Sequence, residues 1–207
     1  MSETVVPIRE RILEAAFNAF MRFGFSGAST SQIARLAHVS KRDLYAQFGS
    51  KQAMLADCVI ERTERMRQPL NLPAPKDRAN LNRTLVEFGT TVIRIVSRPE
   101  VLATYRLAIL EAENAPEVAR TLDRHGRQAN TEALNRLFVA ACEQGLLAGA
   151  EPADMATVFL SALMGEGILI RLLMRVATPP DDADARRRAE TAARCVFQLF
   201  GKAGDGG

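Results

Sequence analysis

Apolar residues recur at steps of three and four along nearly the whole of this 207-residue chain, and no stretch shows the strict apolar–polar alternation of a half-buried strand. That period commits the chain to helices, and proline and glycine mark where each one stops. Between Pro7 and Phe23, Ile8, Ile12, Ala16, Ala19, Phe20 and Phe23 share a face, and Gly24 is a natural C-terminal stop. Ser29 or Thr30 can cap a short second helix whose apolar face is Ile33, Leu36 and Ala37. A third begins after "HVS", with Leu44 and Phe48 one turn apart. A fourth, capped by Ser50, carries Met54, Leu55, Cys58, Val59 and Met66 on one side and ends at Pro69. The proline-rich segment 69–77 has no period and predicts a loop. Longer helices are predicted over 78–97, 99–112, 116–145, 152–176 and 182–200.

The predicted fold is therefore all-α: three short N-terminal helices followed by a larger bundle. A compact three-helix unit with a four-residue turn between its second and third helices is the plan of a helix-turn-helix DNA reader. The whole-chain charge of +3 is too mild to indicate a nucleic-acid partner by itself, so that role depends on local placement. The N-terminus lacks the order of a signal peptide and no run of eighteen apolar residues occurs, which predicts a cytoplasmic chain with no membrane segment. Cys58, Cys142 and Cys195 are odd in number and far apart, which predicts reduced core thiols rather than disulfides or a metal knuckle. His38 and His125 are the two histidines, with no Ser-His-Asp or His-x-x-x-His arrangement and no glycine-rich phosphate loop. No catalytic residue, metal site or cofactor is expected.

The stretch "SKRDLYAQFGSK", residues 40–51, concentrates the polar chemistry. Ser40 can cap the third helix, with Asp43 three residues on completing a capping box. The helix start thus fixes where Lys41 and Arg42 lie, at the position from which Lys or Arg reaches guanine O6 and N7 in a major groove. Tyr45 stands one turn later with a phenolic donor and a flat face, and Gln47 lies towards the groove edge. Thr30 and Lys51 stand at helix starts, where unpaired amides and the positive end of the helix dipole favour a phosphate, and Lys51 adds a formal charge.

The stretch "TSQIARLAHVSKRDLYAQFGSK" resembles the DNA-binding signature of TetR-type (tetracycline repressor family) bacterial transcriptional regulators, and "RERILEAAFNAFMRFGFSGAST" is similar to their first helix. The resemblance implies DNA contacts at Thr30, Ser31, Lys41, Arg42, Tyr45, Gln47 and Lys51, with Ser40 at the start of the reading helix. It divides the chain into a DNA-binding domain, 1–50, and a ligand-binding and dimerisation domain, 51–207. One position departs from the pattern: His38 stands where the family's turn usually has glycine, and histidine tolerates the left-handed backbone that glycine would supply. "YRLAILEAENAPEVAR", 105–120, also looks like the C-terminal domain of one TetR subgroup.

The last two helices carry apolar residues almost around their circumference, which calls for burial on two sides, as in a four-helix contact across a two-fold axis. Phe159, Leu163, Ile170, Ala189, Val196 and Phe197 are the expected homodimer contacts. A dimer also sets two reading helices about 34 Å apart, the spacing of a palindromic operator. "MGEGI", 164–168, places two glycines in mid-helix, which predicts close packing or a kink. Glu166 either faces a ligand cavity or pairs with an arginine of another helix or subunit. Met66, Phe88, Tyr105, His125, Phe138 and Met164 are the other candidates for a cavity taking a small lipophilic effector, which the resemblance implies. A DNA-bound adaptor that recruits a protein and senses no small molecule is the alternative.

Overall fold

The computed structural model describes residues 6–65, 71–113, 115–165, 167–174 and 178–201, side chains 63–65 excepted. Met66, Pro69 and Glu166 lie outside the described residues. The fold is all-α: α1 (Ile8–Gly27), α2 (Thr30–Leu36), α3 (Lys41–Phe48), α4 (Lys51–Arg65), α5 (Arg78–Val96), α6 (Pro99–Leu110), α7 (Pro116–Leu122), α8 (Ala129–Glu143), α9 (Pro152–Met164), α10 (Gly167–Leu173) and α11 (Asp182–Phe200). Among the described residues the one extended pairing is an isolated antiparallel bridge between Leu147 and Gly201. No single helix among them is long and apolar enough to cross a membrane.

The helices form two compact units that are not contiguous in sequence: Met1–Arg67 with Ala103–His125, and Gln68–Leu102 with Gly126–Gly207. In the first, α1 supplies Ile12, Leu13, Ala16, Phe17 and Phe20, and Ile33, Ala34, Leu44, Phe48, Met54, Leu55 and Val59 close over them. Burying a large side chain of this kind contributes about 1.5–3 kcal/mol. Three members of the predicted apolar faces stay out of this core: Ile8, Phe23 and Leu36 are 48%, 41% and 49% exposed. Ile8 and Phe23 stand at the two ends of α1's regular part. Gly24 takes φ 70 and ψ 170, so the regular helix breaks there and one further turn runs to Gly27. Cys58 is buried and its thiol donates to the Leu13 carbonyl at 3.4 Å. Burial pushes that thiol far above its ordinary pKa.

The second unit packs α5 along α11, α11 along α9 and α9 along α8. Asp77 and Asp181 cap α5 and α11, accepting from the amides of Asn80 and Asp184. Leu81, Leu85, Phe88, Ile93, Phe138, Phe159, Leu163, Ala189, Ala192 and Val196 form the core. Gly89 sets how closely α5 approaches: a Cβ there would stand 2.9 Å from Ala189 Cβ, 3.1 Å from Leu163 Cδ1 and 3.2 Å from Phe159 Cζ. Alanine gains about 1 kcal/mol of helix propensity over glycine, whereas forcing a methyl into a filled core costs about 1–3 kcal/mol. Ala189 Cβ cannot move without α11, so Gly89→Ala is expected to lower the melting temperature; an unchanged or raised value would show that the helices can part freely.

Two long predicted helices are interrupted. The run 116–145 is helical throughout its first part but widens into a π turn over Asp123–Gln128, between α7 and α8, where no side chain is buried to hold ordinary α geometry. The run 152–176 breaks at Gly165, which takes φ 47, and α10 leaves at 47° to α9. Gly165 thus marks the kink, whereas a Cβ at Gly167 would meet the guanidinium of Arg188, the mobile end of a long side chain.

Candidate nucleic-acid interface

The surface carrying the basic cluster is built by three short caps. Ser29 Oγ accepts from the Gln32 amide at 3.1 Å and starts α2. Ser40 Oγ accepts from the Asp43 amide at 3.1 Å, while the Ser40 amide and hydroxyl both donate to Asp43 Oδ2, at 3.3 and 2.7 Å. The capping box is thus complete and α3 has one defined start. Ser50 Oγ accepts from the Ala53 amide at 3.0 Å and begins α4.

Between α2 and α3 the chain turns at His38, whose φ is 53. It is the non-glycine residue that takes the left-handed backbone among those described, at a cost of about 1–2 kcal/mol. The turn is held by the Val39 amide donating to the Ala34 carbonyl at 3.0 Å.

With Leu44 and Phe48 buried beneath it, α3 leaves Lys41, Arg42, Tyr45 and Gln47 exposed. Tyr45 Oη lies 3.3 Å from Thr30 Oγ1, which ties the middle of α3 to the first residue of α2. Ser31 is exposed beside it. Ser40 is occupied by the capping box, so its part in this surface is to set the helix start. Lys51 departs from the sequence-based expectation: its ammonium turns inward, donates to the Ala28 carbonyl at 2.9 Å and sits 4.4 Å over the Phe25 ring. Its backbone amide remains in the first turn of α4, where helix amides lack intrahelical partners. Sequence reading also missed Glu111, which is buried and accepts from the Phe25 amide at 3.3 Å. No local motif signals this contact across 86 residues of sequence.

Asp43 has its carboxyl held below the ordinary aspartate value, first by the Ser40 hydroxyl and then by the Ser40 amide, with a smaller pull from Arg42. A depressed folded-state pKa means that the box's stabilisation is complete above the unfolded value and is lost as pH falls through the folded one. Amide protection in the first turn of α3 should therefore be flat through neutral pH and decline below about pH 4. Asp43→Asn should remove that acid limb; an unaltered limb would assign it to another carboxylate.

The residues expected to line a cavity divide between the two units. Phe88 and Phe138 belong to the core of the second unit and Met164 packs against it, whereas Tyr105 packs against the core of the first. Burial, with Asp123 adding to it, raises the Tyr105 pKa. His125 lies half-buried in the π turn. Four expected dimer contacts need correcting: Phe159, Leu163, Ala189 and Val196 are enclosed by the second unit of a single chain, at most 1% exposed, and present nothing to a partner. Phe197 is half-buried with the Arg78 guanidinium 5.0 Å over its ring, while Ile170 is 48% exposed. Among the described residues no group of three or more His, Cys, Asp or Glu could hold a metal ion.

Comparison with known proteins bears on both units. Residues 12–58 match the family described as "Bacterial regulatory proteins, tetR family", and residues 83–202 match the "AefR-like transcriptional repressor, C-terminal domain". The HTH-type transcriptional regulator AqdR of Rhodococcus erythropolis is 27% identical over 110 residues, 53% of this chain; the match spans only about half, 50%, of that relative's length. Among solved structures, a TetR transcriptional regulator from Agrobacterium tumefaciens superposes with a TM-score of 0.81 at 23% identity, covering 95% of this chain and 96% of that one. The flavonoid-responsive regulator FrrA gives 0.78 at 26% identity, covering 95% and 98%. With one match covering the helix-turn-helix and another most of the remaining helices, the chain belongs to the TetR family of DNA-binding bacterial transcriptional regulators.

Proposed function

We propose that the chain is a cytoplasmic, dimeric repressor that reads a palindromic operator through α3 and is released by a small lipophilic effector. The observation that carries the DNA-reading half is the capped α3, whose apolar side is buried while Lys41, Arg42 and Tyr45 stand exposed along its first turns. In this reading Lys41 and Arg42 contact base edges, Gln47 touches the groove edge, and Thr30, Ser31, Tyr45 and the Lys51 amide engage phosphates. Residues 1–50 do the reading and 51–207 the sensing and pairing. The second copy covers apolar side chains that one chain leaves exposed: Leu169, Ile170, Leu173 and Met174 at α10 and Leu199 on α11. The apolar interior of the second unit around Phe88, Phe138 and Met164 is where an effector would be taken up. Effector and operator then disfavour each other by one coupling free energy.

Selection from a random-sequence duplex pool near physiological salt, with Tyr45→Ala in parallel, tests this. A palindromic motif enriched by the intact protein alone is the expected result, and a motif without two-fold symmetry would overturn the dimeric reading. FrrA is a flavonoid-responsive regulator, so flavonoids are the first compounds to titrate against the selected duplex. Operator affinity unchanged by every compound that demonstrably binds the protein would remove the release mechanism.

A further inference from the structure

The regular part of α1 ends at Gly24, and the turn from there to Ala28 leads without a linker into Ser29, the cap of α2. Wherever this turn sits, α2 must start, and Tyr45 is tied to the first residue of α2. Its placement therefore propagates to the reading helix. Because Gly24 takes ψ 170, the Phe25 amide is turned out of the α1 ladder, and a buried amide without a partner costs about 1–3 kcal/mol. Glu111 supplies that partner: the residue is 7% exposed and its carboxylate accepts from Phe25 N at 3.3 Å. From the other side Lys51 donates to the Ala28 carbonyl at 2.9 Å and covers the Phe25 ring at 4.4 Å. Phe25 itself is 6% exposed and packs 5.6 Å from the Phe20 ring.

We propose that Glu111 and Lys51 are positioning residues of the DNA interface, clasping the Gly24–Ala28 turn from two sides and so fixing the start of α2. The proposal rests on the DNA-reading role of α3 and adds that the Lys51 ammonium acts through the protein's own backbone and not through a phosphate. A carboxylate accepting an amide and an ammonium donating to a carbonyl are each charge-assisted bonds, roughly twice as strong as neutral ones. Both meet backbone groups, which any residue at 25 or 28 other than proline at 25 would present.

The test uses the full chain with the duplex it selects, and the variants Lys51→Met, Glu111→Gln and Glu111→Ala. A lysine that neutralises one phosphate contributes about 0.9 to the slope of log affinity against log salt. Lys51→Met is expected to lower affinity by a similar factor at every salt concentration, with the slope unchanged; a slope reduced by about 0.9 would overturn its assignment. Glu111→Ala is expected to weaken binding about tenfold and to speed hydrogen exchange at the Phe25 amide, while Glu111→Gln, which keeps an acceptor oxygen, recovers most of both. Wild-type affinity and wild-type Phe25 exchange in Glu111→Ala would sink the clasp. If Glu111→Ala does not fold, Glu111→Gln decides: exchange as fast as in an unprotected turn overturns the clasp, and near-native exchange supports it. The exchange measurement needs no DNA, so failure of the wild-type protein to select any duplex would count against the DNA reading and leave the clasp to be judged on Phe25.

Discussion

Phe159→Ala is expected to destabilise the second unit by about 3–5 kcal/mol and to leave self-association of the folded chain unchanged. The ring is fully enclosed, 6.3 Å from the Phe88 ring and within contact of the space that Gly89 leaves open. Truncation opens a cavity between α5 and α9 that Gly89 has no side chain to fill. Chemical denaturation reads the loss, and sedimentation of the folded variant reads association. Ile170→Ser provides the contrast, because that side chain is 48% exposed and contributes little to one chain's core. It should weaken association with little change in the stability of the unit. Reduced association with intact stability in Phe159→Ala would return this residue to an interface.

Lys41→Ala combined with Arg42→Ala is expected to abolish preference for the selected duplex over a scrambled one. A well-made bidentate contact to a base contributes about 1–3 kcal/mol of discrimination, so each side chain that makes one accounts for roughly one to two powers of ten. Both residues are exposed, and the start of their helix is fixed by Ser40 and Asp43, so the unfolding free energy should stay within about 0.5 kcal/mol of wild type. Competition between the two duplexes at fixed salt measures the effect. Equal losses on both duplexes would assign Lys41 and Arg42 to phosphates and leave sequence reading to Tyr45, Gln47 or the shape of the groove.

Features decided within one turn of chain were legible in the sequence. The Ser40–Asp43 box and the Ser29 and Ser50 caps arise from side chains and backbone three residues apart, whereas the positive φ at His38 was legible through the resemblance to the family's turn. Leu36 shows where that logic stops. At about 100° per residue, Ile33, Ala34 and Ala37 span one arc of α2, and Leu36 falls about 60° outside it on the side away from Ala34. The apolar pattern of a seven-residue helix has too few members to say which arc is buried. Burial on two sides of α9 was legible too, but not its source: α8 and α11 of the same chain supply it, along with α5, so no partner is needed there. Gly89 and Glu111 were invisible for the same reason, since their roles exist only once distant helices meet.

Cys58 gives the molecule a built-in clock. Its thiol is 1% exposed, hydrogen-bonded and held protonated by burial, so alkylation must wait until the first unit opens. Cys142 and Cys195, both half-buried, lie in the second unit, so the three cysteines of the chain divide one against two between the units. The rate at which a fragment containing Cys58 gains the label, with and without operator, therefore times the opening of the reading head separately from that of the rest.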